Sequence, residues 1–226
     1  MHLFSLHLKA ANFLILLLFT STLFAEGSIA EEHSLRHTFT TIWNDFSELL
    51  LKNGLWLFSG IAILPAFILP VSPLLALAGI WGETHGAFYA ALLGSLALTL
   101  NCCWTYWLAS WCGPKFLDYI YFFFRKKKFS NIEKPKKTLW QWALILRLTP
   151  GIPFIFGNYL LGSFKMPFIT YLMISVPILS ANAFGYTFAV SGLASGDFRA
   201  LSGGVAILVL IYLVGKYLIS QKKNAG

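Results

Sequence analysis

Residues 144–162, LILRLTPGIPFIFGNYLLG, are apolar enough for a membrane, yet they hold Arg147, Pro150, Gly151, Pro153, Gly157 and Asn158. A plain spanning helix does not tolerate that set. Each proline lacks an N–H and clashes with the preceding turn, so the helix must break near Pro150 and Pro153. Broken backbone at membrane depth persists only where protein buries it or where it lines a wet cavity. A guanidinium at mid-bilayer costs about 2.5–3.5 kcal/mol on the insertion scale, so Arg147 is expected to face an interior site. The pattern predicts a re-entrant helical hairpin over 139–164, running in to the prolines and out toward Gly162.

A second stretch of the same kind lies upstream. Residues 63–79 read ILPAFILPVSPLLALAG, with breakers at Pro65, Pro70 and Pro73. Pro70 precedes Gly79 by nine residues, as Pro153 precedes Gly162, and Leu77 matches Leu160 at the same offset. After each stretch comes a long apolar run with small residues at every fourth place. These are Gly86, Ala90 and Gly94 in the first, and Ala181, Gly185 and Ala189 in the second. Such spacing suits close helix packing in lipid. Paired Pro/Gly-interrupted segments at matching places in two halves point to a transporter-type site at a repeat interface.

The composition fits an integral membrane protein: 57% hydrophobic and 12% charged over 226 residues, with mean hydropathy +0.68. Length suits one membrane domain. The fold class expected is all-α, with two inverted repeats, each a re-entrant hairpin followed by a transmembrane helix. A hydrophobic helix precedes them and a transmembrane helix follows. In chain order, residues 1–27 are a signal peptide or a first transmembrane helix, both readings standing. Residues 28–54 form an amphipathic helix on the outer surface. Leu35, Phe39, Ile42, Trp43, Phe46, Leu49 and Leu50 make its apolar face, Ser34 caps it, Asn53-Gly54 ends it, and Trp43 anchors it.

The membrane domain is expected over 55–192. It comprises a re-entrant hairpin at 55–82, a span at 86–112, a basic loop at 113–138, the second hairpin at 139–164 and a span at 166–192. A last span follows at 202–219, then a tail at 220–226. The loop combines Tyr119, Tyr121 and Phe122–124 with Arg125, Lys126–128, Lys134, Lys136 and Lys137. Aromatics beside a basic cluster suit anionic lipids of the cytoplasmic leaflet, and a nucleic-acid partner is not expected. With that loop inside and both hairpins returning to their own side, the lysine-bearing C-terminus is cytoplasmic and the acid-rich 26–53 segment is outside. Full spans in place of the hairpins would break the positive-inside rule.

No catalytic constellation and no metal-ligand spacing appears, so no enzyme, metal or cofactor is expected. His33 and His37 sit four apart beside Glu31 and Glu32, a pattern read as a solvated face. Cys102, Cys103 and Cys112 fall in one span and are read as small packing residues. Glu83 is the only charged residue between Lys52 and Lys115. It is an interface carboxylate or a candidate proton site near the first hairpin's exit.

The run RLTPGIPFIFGNYLLGSFKM from Arg147, followed by Asn182 and Gly185, resembles the second half of the DedA / VTT-domain superfamily, which includes the SNARE-associated Golgi branch. The run PVSPLLALAGIWG from Pro70 resembles the same family's first re-entrant motif. The resemblance covers about residues 55–192. It implies opposed re-entrant hairpins and the translocation (flipping or scrambling) of phospholipids or polyprenyl-phosphate carriers between leaflets. It also implies differences. The DedA branch usually carries an acid near the place of Ser72 and a second arginine where Pro153 stands, both linked to proton coupling. Their absence argues against proton-driven transport, and the PF-x-x-x-N-Y-x-x-G form from Pro153 resembles the SNARE-associated Golgi branch more closely.

On this reading Arg147 is the phosphate ligand, because its planar fork takes two oxygens at once. Asn158, Asn182, Asn101 and Ser72 are its candidate partners. Pro65, Pro70, Pro73, Pro150, Gly151, Pro153, Gly79 and Gly162 are expected to break or turn the hairpins. The alternatives are a proton- or ion-coupled carrier of small solutes and a membrane-organising protein without transport. The expected setting is a bacterial inner membrane, the partners are membrane lipids, and assembly as a homo-oligomer is left open.

Overall fold

A computed structural model describes residues 41–67, 70–112, 139–149 and 154–223. Among these residues every element is helical. Helix α1, described over Thr41–Leu51, meets the next segment at a bend of 118°. Helix α2, Gly54–Ile63, runs into a 3-10 turn over Leu64–Phe67. Helix α3 covers Val71–His85 and α4 covers Ala87–Cys112. In the second half come α5, Leu139–Leu148, and α6, Phe154–Ser163. Then follow α7, Phe168–Ser195, and α8, Phe198–Lys223.

Among the described residues, three helices are long and apolar enough to cross a membrane: Ala87–Cys112, Phe168–Ser195 and Phe198–Leu218. The protein is therefore an integral membrane protein, helical throughout its described residues. The ten residues of α5 and the ten of α6 each rise about 15 Å, half of a hydrocarbon core of roughly 30 Å.

The prolines act at the positions their chemistry allows. Pro65 sits in the 3-10 turn, and Pro70 precedes the first turn of α3. Pro73 was expected to break the chain, but α3 continues through it. It is the third residue of the helix, where its missing N–H would have had no intrahelical partner. Pro150, Gly151 and Pro153 lie outside the described residues. Pro177 sits inside α7.

Gly79 and Gly162 are not breakers either. Both lie inside helices and let another backbone come close. A Cβ at Gly79 would stand 2.7 Å from Val190 Cβ and 3.0 Å from the Thr187 carbonyl, both on α7. A Cβ at Gly162 would stand 2.8 Å from Ala109 Cβ and from the Tyr106 carbonyl, both on α4. Thus α3 packs on α7 while α6 packs on α4, each short helix reaching the long helix of the other half. The pairs match elsewhere too: α2 packs on α4, and α5 on α7.

Helices α4 and α7 run antiparallel at the centre. Phe88 meets Phe184 and Ser95 meets Ser180 toward one end, and Tyr106 meets Phe168 toward the other. Of the small residues on α4, Ala90 lies against Gly82 of α3, and Gly94 faces Leu75. Gly86 is outside that packing: it joins α3 to α4 with φ +99°, which favours glycine. On α7 the small residues serve α8, where Gly204 approaches Ala189 and Gly185 backbone to backbone.

One expectation fails at α1. Trp43, expected on the apolar face as the anchor of a surface-lying helix, is buried with Ser47 and Leu50, while Ile42 and Leu49 of the same apolar face are exposed. The positions 43, 47 and 50 share one helical stripe, and packing over the first half takes that stripe inward. Asn53 also does more than end α1. Its side chain accepts from the Leu55 N–H at 2.9 Å and so caps α2.

Candidate functional site

Arg147 is the next-to-last residue of α5 and points into a polar cluster walled by α4, α6 and α7. Its Nε donates to Ser175 Oγ at 3.1 Å. Its Nη2 donates to Asn158 Oδ1 at 2.6 Å and to the Tyr171 hydroxyl at 3.1 Å, and contacts Cys102 Sγ at 3.5 Å. The guanidinium also lies over the rings of Phe154 and Tyr171, at 5.3 and 5.5 Å from their centroids. Such ring faces attract a cation.

These neighbours place the charge well inside the span. Cys102 is ten residues before the end of α4 and fifteen after its start, about 15 and 22 Å by helical rise. Gly157 leaves room beside the charge, since a Cβ there would stand 3.6 Å from Arg147 Nη1.

Asn158 organises the cluster. It is fully buried. Besides Arg147, its Oδ1 accepts from Tyr171 at 3.0 Å, and its Nδ2 donates to Thr105 Oγ1 at 2.9 Å. Asn158 was expected to face a phosphate. Its amide is instead occupied by protein on both sides, so its part is to hold the guanidinium.

The first break joins the same cluster through α4. A 3-10 turn and a proline free backbone carbonyls of the helix before it. The Ala62 carbonyl accepts from Asn101 Nδ2 and Trp104 Nε1, both at 2.8 Å. The Ala66 carbonyl accepts from the Tyr159 hydroxyl of α6 at 3.3 Å. Asn101 is thus shared, since its Oδ1 lies 3.5 Å from Asn158 Nδ2.

Of the remaining residues singled out from sequence, neither Ser72 nor Asn182 hydrogen-bonds to Arg147. Ser72 is exposed on the first turn of α3. Asn182 donates to the Ile178 carbonyl of its own helix at 2.8 Å. Glu83 lies in the last turn of α3, thirteen residues beyond Pro70 and about 20 Å from it along the helix. It is remote from the first break.

Tyr171, Ser175, Thr105, Trp104 and Tyr159 join the cluster with no mark in the sequence analysis, and Cys102, expected only to pack, meets Arg147 as well. Their signal was periodicity: Asn101 and Thr105 are four apart on α4, and so are Tyr171 and Ser175 on α7. Residues at that spacing share one helix face.

Short helices that end beside a buried arginine, packed with three long apolar helices among the described residues, define a polytopic helical membrane protein. A family model described as the VTT domain matches residues 69–192, more than half of the chain. The chain belongs to the VTT-domain family, the DedA / SNARE-associated Golgi group. The match runs from just before α3 to near the end of α7. No curated protein and no solved structure matches the chain.

Proposed function

We propose that this protein moves phospholipids or polyprenyl-phosphate carrier lipids between the two leaflets, with the phosphate passing Arg147. One observation carries the reading. Arg147 sits at membrane depth among neutral partners, and among the described residues no carboxylate meets it and its Nη1 has no acceptor. A cation there is expensive without a counter-charge. A passing phosphate supplies one, taken by the free edge of the fork.

The architecture proposed is a pair of re-entrant hairpins entering from opposite faces, α2–α3 and α5–α6, in two inverted repeats. The matched packing of α3 on α7 and of α6 on α4 supports it. So does the half-bilayer length of α5 and α6. Opposed breaks shorten the distance a phosphate must travel through hydrocarbon. The acyl chains stay in lipid while the headgroup passes the breaks. Catalysis has no part in this reading.

The test is lipid scrambling in proteoliposomes, read by dithionite quenching of a fluorescent phospholipid. Arg147→Ala should insert and fold but lose transport, and Arg147→Lys should be partly defective. Normal transport by a folded alanine variant sinks the phosphate role.

A second reading, membrane organisation without transport, has its own support. Asn158 is saturated by protein, as a purely structural clasp would be. That reading expects Arg147→Ala to lower stability with no transport to lose. Ion-coupled solute transport draws no support from Glu83, which is remote from the first break.

A further inference from the structure

A cleft of about 310 Å³ opens between α1 and the last turns of α3, lined by Glu48, Leu51, Lys52, Ile80, Trp81, Thr84 and His85. It lies apart from the arginine cluster, next to the start of α4. Because α4 spans from Ala87, the cleft falls at one membrane boundary, at headgroup depth.

Its walls are set rather than loose. Trp81 stacks on His85 with centroids 3.9 Å apart and planes 1° from parallel. Phe58 meets Trp81 edge-on at 5.3 Å, and Gly54 leaves space that a Cβ would fill, 2.8 Å from that indole. His85 Nδ1 lies 2.7 Å from Thr84 Oγ1 and 3.0 Å from the Trp81 carbonyl. With the Thr84 hydroxyl donating to the Trp81 carbonyl, Nδ1 is the protonated nitrogen and the neutral ring's Nε2 is an acceptor.

The charges are the informative part. Glu48 and Lys52 stand four apart with the acid N-terminal, the order that favours a helical ion pair. Among the described residues they form no ion pair, and both line the cleft. A site presenting one anion and one cation a helical turn apart suits a ligand that carries the opposite pair on a short linker. We propose that this cleft binds the headgroup of a zwitterionic amine–phosphate lipid, with the amine at Glu48 and the phosphate at Lys52. Leu51 and Ile80 give the start of the glycerol region an apolar wall. The volume is at the low end for small-molecule sites, roughly 300–1,000 Å³, which fits a headgroup and not a whole lipid.

The occupant rests on the lipid-translocation reading, but the test measures binding and not transport. If Arg147→Ala leaves transport intact, the earlier reading falls alone. Full-length protein in detergent is titrated by native mass spectrometry with phosphatidylethanolamine and with phosphatidylglycerol. The expected result is at least a tenfold preference for phosphatidylethanolamine. Glu48→Lys should remove that preference, and adding Lys52→Glu to it should restore one charge of each sign and the preference with it. Soluble glycerophosphoethanolamine is the second arm. Competition shows that the headgroup suffices, while lipid binding without competition shows that the chains are also needed; either supports the site. Equal binding of the two lipids, or a preference unchanged in Glu48→Lys, overturns it.

Discussion

The two broken segments leave opposite things to be satisfied. At the first, the groups in need are backbone carbonyls, Ala62 and Ala66, and neutral donors from α4 and α6 reach them. At the second, the group in need is a cation, and neutral acceptors from α4, α6 and α7 gather on it. Carbonyls once bonded are quiet, because a neutral hydrogen bond closes the account of both partners. A guanidinium with five N–H groups and a full charge is not quieted by hydroxyls and an amide. The first break is thus satisfied within the fold, while the second holds a cation that no carboxylate meets among the described residues.

The sharpest way to break this contrast is at Arg147. On the proposed function, Arg147→Ala should reduce scrambling at least tenfold, whereas Trp104→Phe, which removes a donor from the Ala62 carbonyl alone, should reduce it little; proteoliposome assays on both variants decide. An equal loss in the two would mean that the breaks act as one unit.

Next in size is the clasp on the cation. Asn158→Leu strips Arg147, Tyr171 and Thr105 of a shared partner, and leaving such groups unpaired costs about 1–3 kcal/mol. Its melting temperature in detergent should fall further than that of any single donor change at the first break.

The packing of each short helix on the other half's long helix can be tested alongside. Gly79→Ala and Gly162→Ala should each destabilise by about 1–3 kcal/mol, since overpacking forces backbone apart. Gly203→Ala, with nothing within 4 Å of its added Cβ, is the control and should melt like the parent. Similar losses at 79 and 162 sharpen the match between halves; a loss at only one breaks it.

Smallest are the donors on the Ala62 carbonyl. Trp104→Phe leaves Asn101 in place, so it should cost about 0.6 kcal/mol, typical of a hydrogen bond between membrane helices. Combined with Asn101→Ala it orphans the carbonyl, and a double-mutant cycle should show more than the sum.

Much of the organisation was legible along the chain. The expected spans at 86–112, 166–192 and 202–219 overlie Ala87–Cys112, Phe168–Ser195 and the apolar part of Phe198–Lys223. Pro65 and Pro70 marked the first break, and Arg147 with Asn158 marked the centre of the cluster. Less legible were single residues whose sense depends on a neighbour. Trp43 has an amphipathic side chain that suits a surface or a core equally. Pro73 reads as a breaker until its place within the first turn of α3 is known. Gly79 and Gly162 look like hinges until the opposing backbones of α7 and α4 are beside them.

Local chemistry determined what needs no partner to state: the apolar runs, the missing proline donors, the scarcity of charge and the match to the VTT domain. Apolarity, proline stereochemistry and the cost of a buried cation act on each segment by itself. Which side chains would meet the cation, and which carbonyls would be covered, was decided only in the tertiary structure. Tyr171 and Ser175 come 24 and 28 residues after Arg147, and Cys102 comes 45 before it. Hydrogen bonds depend on angstrom-scale approach of groups far apart in the chain, and that approach is set by how α4, α6 and α7 pack.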